Sequence, residues 1–228
     1  MYKLRNMLVG AIAIVALSTS AYAGTIGLGV MGSYAAITAT GTESDSNGDA
    51  DTSGRSAAAA NDVLVGSVFA EYTLDSYGGF TLGFDYVPFE ARVSDKAFSR
   101  TDANNNADAT DDNVTRSANA LISNIYTYYA EIPLASGIYA KAGITEMDVQ
   151  TTEVTDDGVS HYGDVNVDGL LIGMGYKTEL TSNTYLKLEG THTQFDSLKL
   201  ASNITDKGNT ITADLDVTKL SIGLGMKF

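Results

Sequence analysis

The last nine residues constrain this chain more than any other stretch. Leu220, Ile222, Leu224, Met226 and Phe228 alternate with Ser221, Gly223, Gly225 and Lys227. Successive side chains of an extended strand point to opposite faces. Period two therefore means a strand with one apolar face and one small or polar face. Seven further segments repeat the split: Ile26–Val30, Leu64–Tyr72, Phe80–Tyr86, Tyr126–Ile132, Ile138–Ile144, Leu170–Tyr176 and Leu186–Leu188. That makes eight strands. Short connections fall near Asp75–Gly79, Pro133–Gly137 and Thr181–Thr184. Long ones fall near Ala39–Asn61, Glu90–Asn119, Gln150–Asp164 and Asp196–Asn209. Long and short alternate strictly, which predicts an antiparallel up-and-down meander with all its tight hairpins at one end. Closing the sheet between the first and last strands would remove both edges.

The start of the chain carries a different signal. Lys3 and Arg5 precede an 11-residue apolar run, Met7–Leu17, and Ala21-Tyr22-Ala23 is a small-residue cleavage pattern. This is the form of a secretory signal peptide over residues 1–23. The run is too short for a membrane-spanning helix, which needs about 20 residues. Cleavage would leave a 24–228 domain and move the formal charge from −14 to −16, since Lys3 and Arg5 are lost. So acidic a chain lacks the clustered cations that phosphate contacts need, which argues against nucleic-acid binding. With no cysteine there is no disulfide framework, thiolate zinc site or cysteine nucleophile.

Periodicity defines two faces but not which of them meets lipid. A soluble exported barrel would bury the apolar face; a membrane barrel would turn it outward. The polar face is mostly glycine, threonine and serine, with charges of both signs. Glu71, Glu131, Lys141, Lys177, Glu179, Lys187 and Glu189 sit close to the short-turn ends, and Asp85 and Lys219 share the same faces. Mixed charges at one depth suit a paired cluster inside a narrow lumen, where charge is tolerated only when paired and hydrogen-bonded. Tyr72, Phe80, Tyr86, Tyr126, Tyr128, Tyr176 and Phe228 recur at the ends of the apolar stripes, as in interfacial aromatic girdles. The fold class expected is an all-β, eight-stranded transmembrane barrel.

These features resemble the small outer-membrane β-barrels of Gram-negative bacteria, of the opacity and attachment-invasion type. The resemblance covers Gly24–Phe228 and is strongest in Leu220-x-Ile222-x-Leu224-x-Met226-x-Phe228. It implies the outer membrane as location, with outer-membrane lipids and lipopolysaccharide as surroundings. It also implies a monomer, inserted by the barrel-assembly machinery reading an end signal in Leu224, Met226 and Phe228. The function it implies is that of a non-enzymatic envelope protein presenting long acidic loops. A small porin-like channel is the alternative.

An outer-membrane hydrolase ranks lower. One known barrel activity removes acyl chains from lipopolysaccharide with a histidine, a serine two residues on, and a carboxylate. Here His192 is followed by Gln194 and His161 by Gly163, so that nucleophile is missing. Glu131 with Glu71 or Asp85 forms an acid pair on paper, but a packed lumen leaves no substrate cleft beside it. Asp45, Asn47, Asp49 and Asp51 have calcium-like spacing, yet Ala50 and Ser56 stand where a calcium loop needs glycine and glutamate. No cofactor is expected, and the candidate loop ligands stay weak.

Overall fold

The computed structural model describes residues 24–44, 55–94, 98–102, 114–155, 162–201 and 210–228. The alternating segments form strands β1 (Gly24–Ser44), β2 (Arg55–Leu74), β3 (Phe80–Val87), β4 (Ala91–Arg92), β5 (Phe98–Asp102) and β6 (Val114–Ala135). They continue as β7 (Ile138–Thr155), β8 (Val165–Glu179), β9 (Thr184–Phe195), β10 (Leu198–Ala201) and β11 (Thr210–Lys227). Every pairing is antiparallel, and β1 pairs with both β2 and β11, so the sheet closes on itself. The barrel has eight staves. β3, β4 and β5 succeed one another along β6, and β9 and β10 succeed one another along β11.

The register fixes the slant of the wall. A line of paired residues runs from Gly27 through Glu71, Gly83, Tyr129, Gly143, Leu171, Thr193 and Val217, and returns to β1 at Ile37. It comes back ten residues from where it began. That stagger tilts the strands, and at eight staves it leaves an interior just wide enough for side chains to fill. Tight turns close one end. Ser136 and Gly137, with φ of 50° and 83°, make the two-residue turn between β6 and β7. Both central residues left-handed is the hairpin geometry that matches strand twist. By the rule for such barrels this short-turn end is periplasmic.

The strands run longer than their apolar stripes. β1 has 21 residues and β6 has 22, against about 9–11 needed to cross a bilayer. The extra length lies within the segments expected to be long loops: β1 continues past Ala39 to Ser44, β2 begins at Arg55, and β6 begins at Val114. The reason is a reversal of polarity along each stave. On β11 the outward residues pass from Leu224, Ile222 and Leu220 to Thr218 and Asp216. Its inward residues pass from Gly223 and Ser221 to Val217 and Leu215. On β7 the inward series runs Lys141, Gly143, Thr145, Met147, Val149, while the outward series ends in Glu146 and Asp148.

Ile37, Ile122, Met147, Val149, Phe195 and Leu215 thus fill the upper lumen as an ordinary hydrophobic core. Below them the outside is apolar: Leu28, Val30, Ile172, Met174, Ile222 and Leu224 are exposed. The lower half is built for lipid and the upper half for water. At the boundary Phe84, Tyr86, Tyr126 and Tyr128 stack on the outer wall, with Tyr86 and Tyr126 rings 4.8 Å apart. β6 gains a residue over β7 at two places, between Ser123 and Tyr126, where Asn124 takes φ 51° opposite Met147, and between Pro133 and Ala135 beside the turn.

Candidate functional site: a charged plug in the lumen

Below the hydrophobic core, six charged side chains from five staves meet on the barrel axis. Lys187 on β9 is at the centre and wholly buried. An ammonium has three hydrogens to donate and no capacity to accept. Lys187 Nζ donates to two carboxylates, Glu71 on β2 and Glu131 on β6 at 2.6 Å, and makes an ion-pair contact of 3.0 Å with its own-strand neighbour Glu189. Lys141 on β7 donates to Glu189 Oε2 at 2.7 Å. Lys177 on β8 donates to Glu71 Oε2 and Glu131 Oε2, each at 3.0 Å. Three lysines face three glutamates, so the cluster is neutral by formal charge.

Tyrosines complete the shell. Tyr129 and Tyr185 donate hydroxyl hydrogens to Glu71 at 2.9 and 3.1 Å, and Tyr139 donates to Glu189 at 2.6 Å. The Lys141 ammonium also lies 3.6 Å from the centroid of the Tyr129 ring. These rings need space, and inward glycines provide it. Tyr129 lies on Gly83, Tyr139 on Gly175 and Tyr185 on Gly225, each so closely that a Cβ on the glycine would collide with the ring. Glycine alternation and buried tyrosines are therefore one packing device. The signal was present in the sequence as tyrosines on the glycine face of the pattern, at positions 129, 139 and 185.

The other residues proposed for this cluster lie elsewhere. Asp85 is buried above it and accepts a hydrogen bond from Ser67 Oγ at 2.7 Å. Lys219 is half-buried higher still, lining a cavity of about 50 Å³ among Ile37, Val65, Val87 and Ile122. Glu179 departs from the expectation of a lumen position: it sits exposed at the periplasmic rim, paired with Lys227. It is the last residue of β8, where the wall ends and water begins. Asp45, Asn47, Asp49, Asp51, His161 and the cleavage residues Ala21 and Ala23 lie outside the described residues. Among the described residues, no group of three or more His, Cys, Asp or Glu side chains is placed to hold a metal ion.

On the periplasmic side a cavity of about 280 Å³ opens onto the plug, bordered by Thr81, Glu131, Tyr139, Lys177 and Tyr185. Lys177 is the plug lysine reachable from it, its side chain 23% exposed. Glu131 also borders it, with its side chain 2% exposed. Glu71 is held by two lysines and two tyrosine hydroxyls, Glu189 by Lys141 and the Tyr139 hydroxyl, and Glu131 by Lys177 and Lys187.

Comparison with known proteins agrees with this architecture. Residues 9–228 match the family model described as outer membrane protein beta-barrel domain. The chain belongs to that family. Its location is accordingly the bacterial outer membrane. Several solved barrels align along most of their length. The outer membrane protein OprG from Pseudomonas aeruginosa is 13% identical, with 91% of this chain and 97% of OprG covered and a TM-score of 0.48. The attachment invasion locus protein Ail of Yersinia pestis is 10% identical over 87% of this chain and 99% of Ail, with a TM-score of 0.37. The outer membrane protease OmpT from Escherichia coli is 12% identical over 92% of this chain and 100% of OmpT, with a TM-score of 0.46. No curated protein sequence matches the chain.

Proposed function

We propose that this protein serves the outer membrane as a sealed barrel: non-conducting, without catalysis in its lumen, and acting through its lipid-facing wall and the acidic loops above it. The observation that carries the reading is Lys187. A fully buried ammonium that donates to Glu71 and Glu131 and ion-pairs with Glu189 ties the β2, β6 and β9 walls of the lumen together. Opening a path would separate these charges in a low-dielectric interior, where an unpaired ion costs several kcal/mol. The hydrophobic core above the plug supplies a second closure, because Ile122, Met147 and Leu215 are packed there rather than lining water.

A small passive channel is the competing reading, and the periplasmic cavity is the feature that favours it. That cavity stops at Lys177 and Glu131. Planar-bilayer recording separates the two. Purified, refolded protein should give no discrete current steps at applied potentials of either sign. Reproducible unitary steps, abolished by heat unfolding, would establish the channel instead. The resemblance-based expectations of assembly by the barrel machinery and of a monomeric state are part of the same proposal. Deleting Phe228 should reduce membrane insertion in cells far more than it lowers the stability of refolded protein, as seen by comparing envelope abundance with denaturant midpoints.

A further inference from the structure

The upper lumen holds a lysine that the plug leaves out. Lys141, Lys177 and Lys187 each meet a glutamate. Lys219 on β11 faces the same lumen higher up and is half-buried. Among the described residues it has no hydrogen-bond or ion-pair partner. Directly opposite it on β9, on the same inward face, is Thr191. Thr191 is 5% exposed, and its Oγ1 is buried without a hydrogen-bond partner. A cation and a hydroxyl donor thus sit on opposed residues of neighbouring strands, both unspent. Such residues have Cβ atoms about 4.5–5.5 Å apart, close enough for one small anion to meet both side chains.

The space beside Lys219 argues for the rest of the ligand. The cavity of about 50 Å³ that it lines is walled by Ile37, Val65, Val87, Met147 and their apolar neighbours, with Thr145 and Thr193 the other polar lining residues. One cation against apolar walls suits a monoanion with an apolar remainder. An inorganic anion would turn most of its oxygens to groups that cannot hydrogen-bond to them. Size limits the remainder. At roughly 10–15 Å³ for each water-sized atom, the cavity takes about three to five non-hydrogen atoms, a carboxylate with about one or two further carbons.

The wall beside the cavity is a seam rather than a continuous ladder. β2 pairs with β3 only as far up as Val68 and Tyr86. Above that point, among the described residues, β1 is the one ladder partner of β2. Val63 and Val65 on this edge line the cavity and are half-buried although they face inward. Val87 and Ala91 line it from β3 and β4 across the seam. Higher up, Asn61 bridges the seam by donating to the Arg92 carbonyl at 2.8 Å.

We propose that Lys219 and Thr191 form a binding site in the upper lumen for a short monocarboxylate, whose alkyl end lies against Ile37, Val65 and Val87. This goes beyond the sealed-barrel reading and does not depend on it, because the site lies above the plug.

The test follows propionate by saturation-transfer difference NMR with full-length mature protein refolded into phosphatidylcholine vesicles. Wild type should give a saturable signal that protein-free vesicles lack. Lys219→Met should weaken binding by about 10-fold or more, the loss of a hydrogen bond to a charged group. Thr191→Val, which keeps the branched shape, should weaken it by about 3-fold. Heat-modifiable gel mobility checks that both variants fold. Propanamide, of the same size but uncharged, should bind wild type at least 10-fold more weakly than propionate does, at about the strength expected for a lost charged hydrogen bond. That arm uses wild type alone and decides the matter even where a variant fails to fold. No saturable signal, undiminished binding by folded Lys219→Met or Thr191→Val, propanamide binding as tightly as propionate, or full displacement of propionate by an equal concentration of inorganic phosphate would overturn the assignment.

Discussion

Lys187 illustrates how much a single residue decides here. Its replacement by methionine keeps the length and removes the charge, so Glu71 and Glu131 each lose a hydrogen bond and Glu189 an ion pair in a buried site. Breaking a buried ion cluster from one side costs about 3–5 kcal/mol. Lys187→Met should therefore lower the unfolding free energy of refolded protein by roughly that amount, measured by urea titration in vesicles. A loss within error of zero would mean that the plug does not hold the walls together. Glycine is equally decisive where a ring rests on it. Gly83→Val has no room beneath Tyr129, so it should block refolding, and pairing it with Tyr129→Ala should restore a heat-modifiable folded band. Failure of the pair to fold better than the single variant would contradict the ring-on-glycine account. The charged residues were legible from the alternation, whereas their partners were not. Period two assigns Glu71 and Lys187 to one face, but the ten-residue stagger that brings them together across the lumen is a property of closure.

At the scale of elements, the stave is a strand whose two faces exchange roles partway along. The lower portion was legible in the sequence because Leu220, Ile222 and Leu224 form an unbroken apolar stripe. The upper portion was not, because its apolar residues, such as Val217 and Leu215, move to the opposite face. A search for one greasy side reads that switch as the end of the strand, which is why β1 and β6 run deep into segments expected to be loops. Outward and inward substitutions should therefore behave oppositely in the two halves. Leu224→Arg places a charge against mid-bilayer lipid and should cost about 2–4 kcal/mol. Leu215→Ala leaves a cavity in the upper core and should cost about 2–5 kcal/mol. Asp216→Leu, outward in the upper half, should change the denaturant midpoint little. A large stabilisation by Asp216→Leu, or a neutral Leu224→Arg, would contradict the assignment of faces.

Over the whole molecule, the barrel is a closed cylinder with an apolar outer wall in its lower half and a polar one above, and its lumen holds a formally neutral ionic cluster beneath a hydrophobic core. Closure comes from β1 meeting β11, and the last ring of bonds ties the ends, with Phe228 N donating to Ile26 O at 2.8 Å. The chain has no tryptophan, so single introduced tryptophans report depth without background, and they test the central claim of lipid below and water above most directly. Ile222→Trp and Asp214→Trp, eight residues apart on the outer face of β11, should give opposite signatures in vesicles. The first should emit in the blue and be quenched by brominated acyl chains; the second should emit in the red and be quenched by aqueous iodide. Iodide quenching of a tryptophan at 222, with brominated lipid silent, would contradict the account.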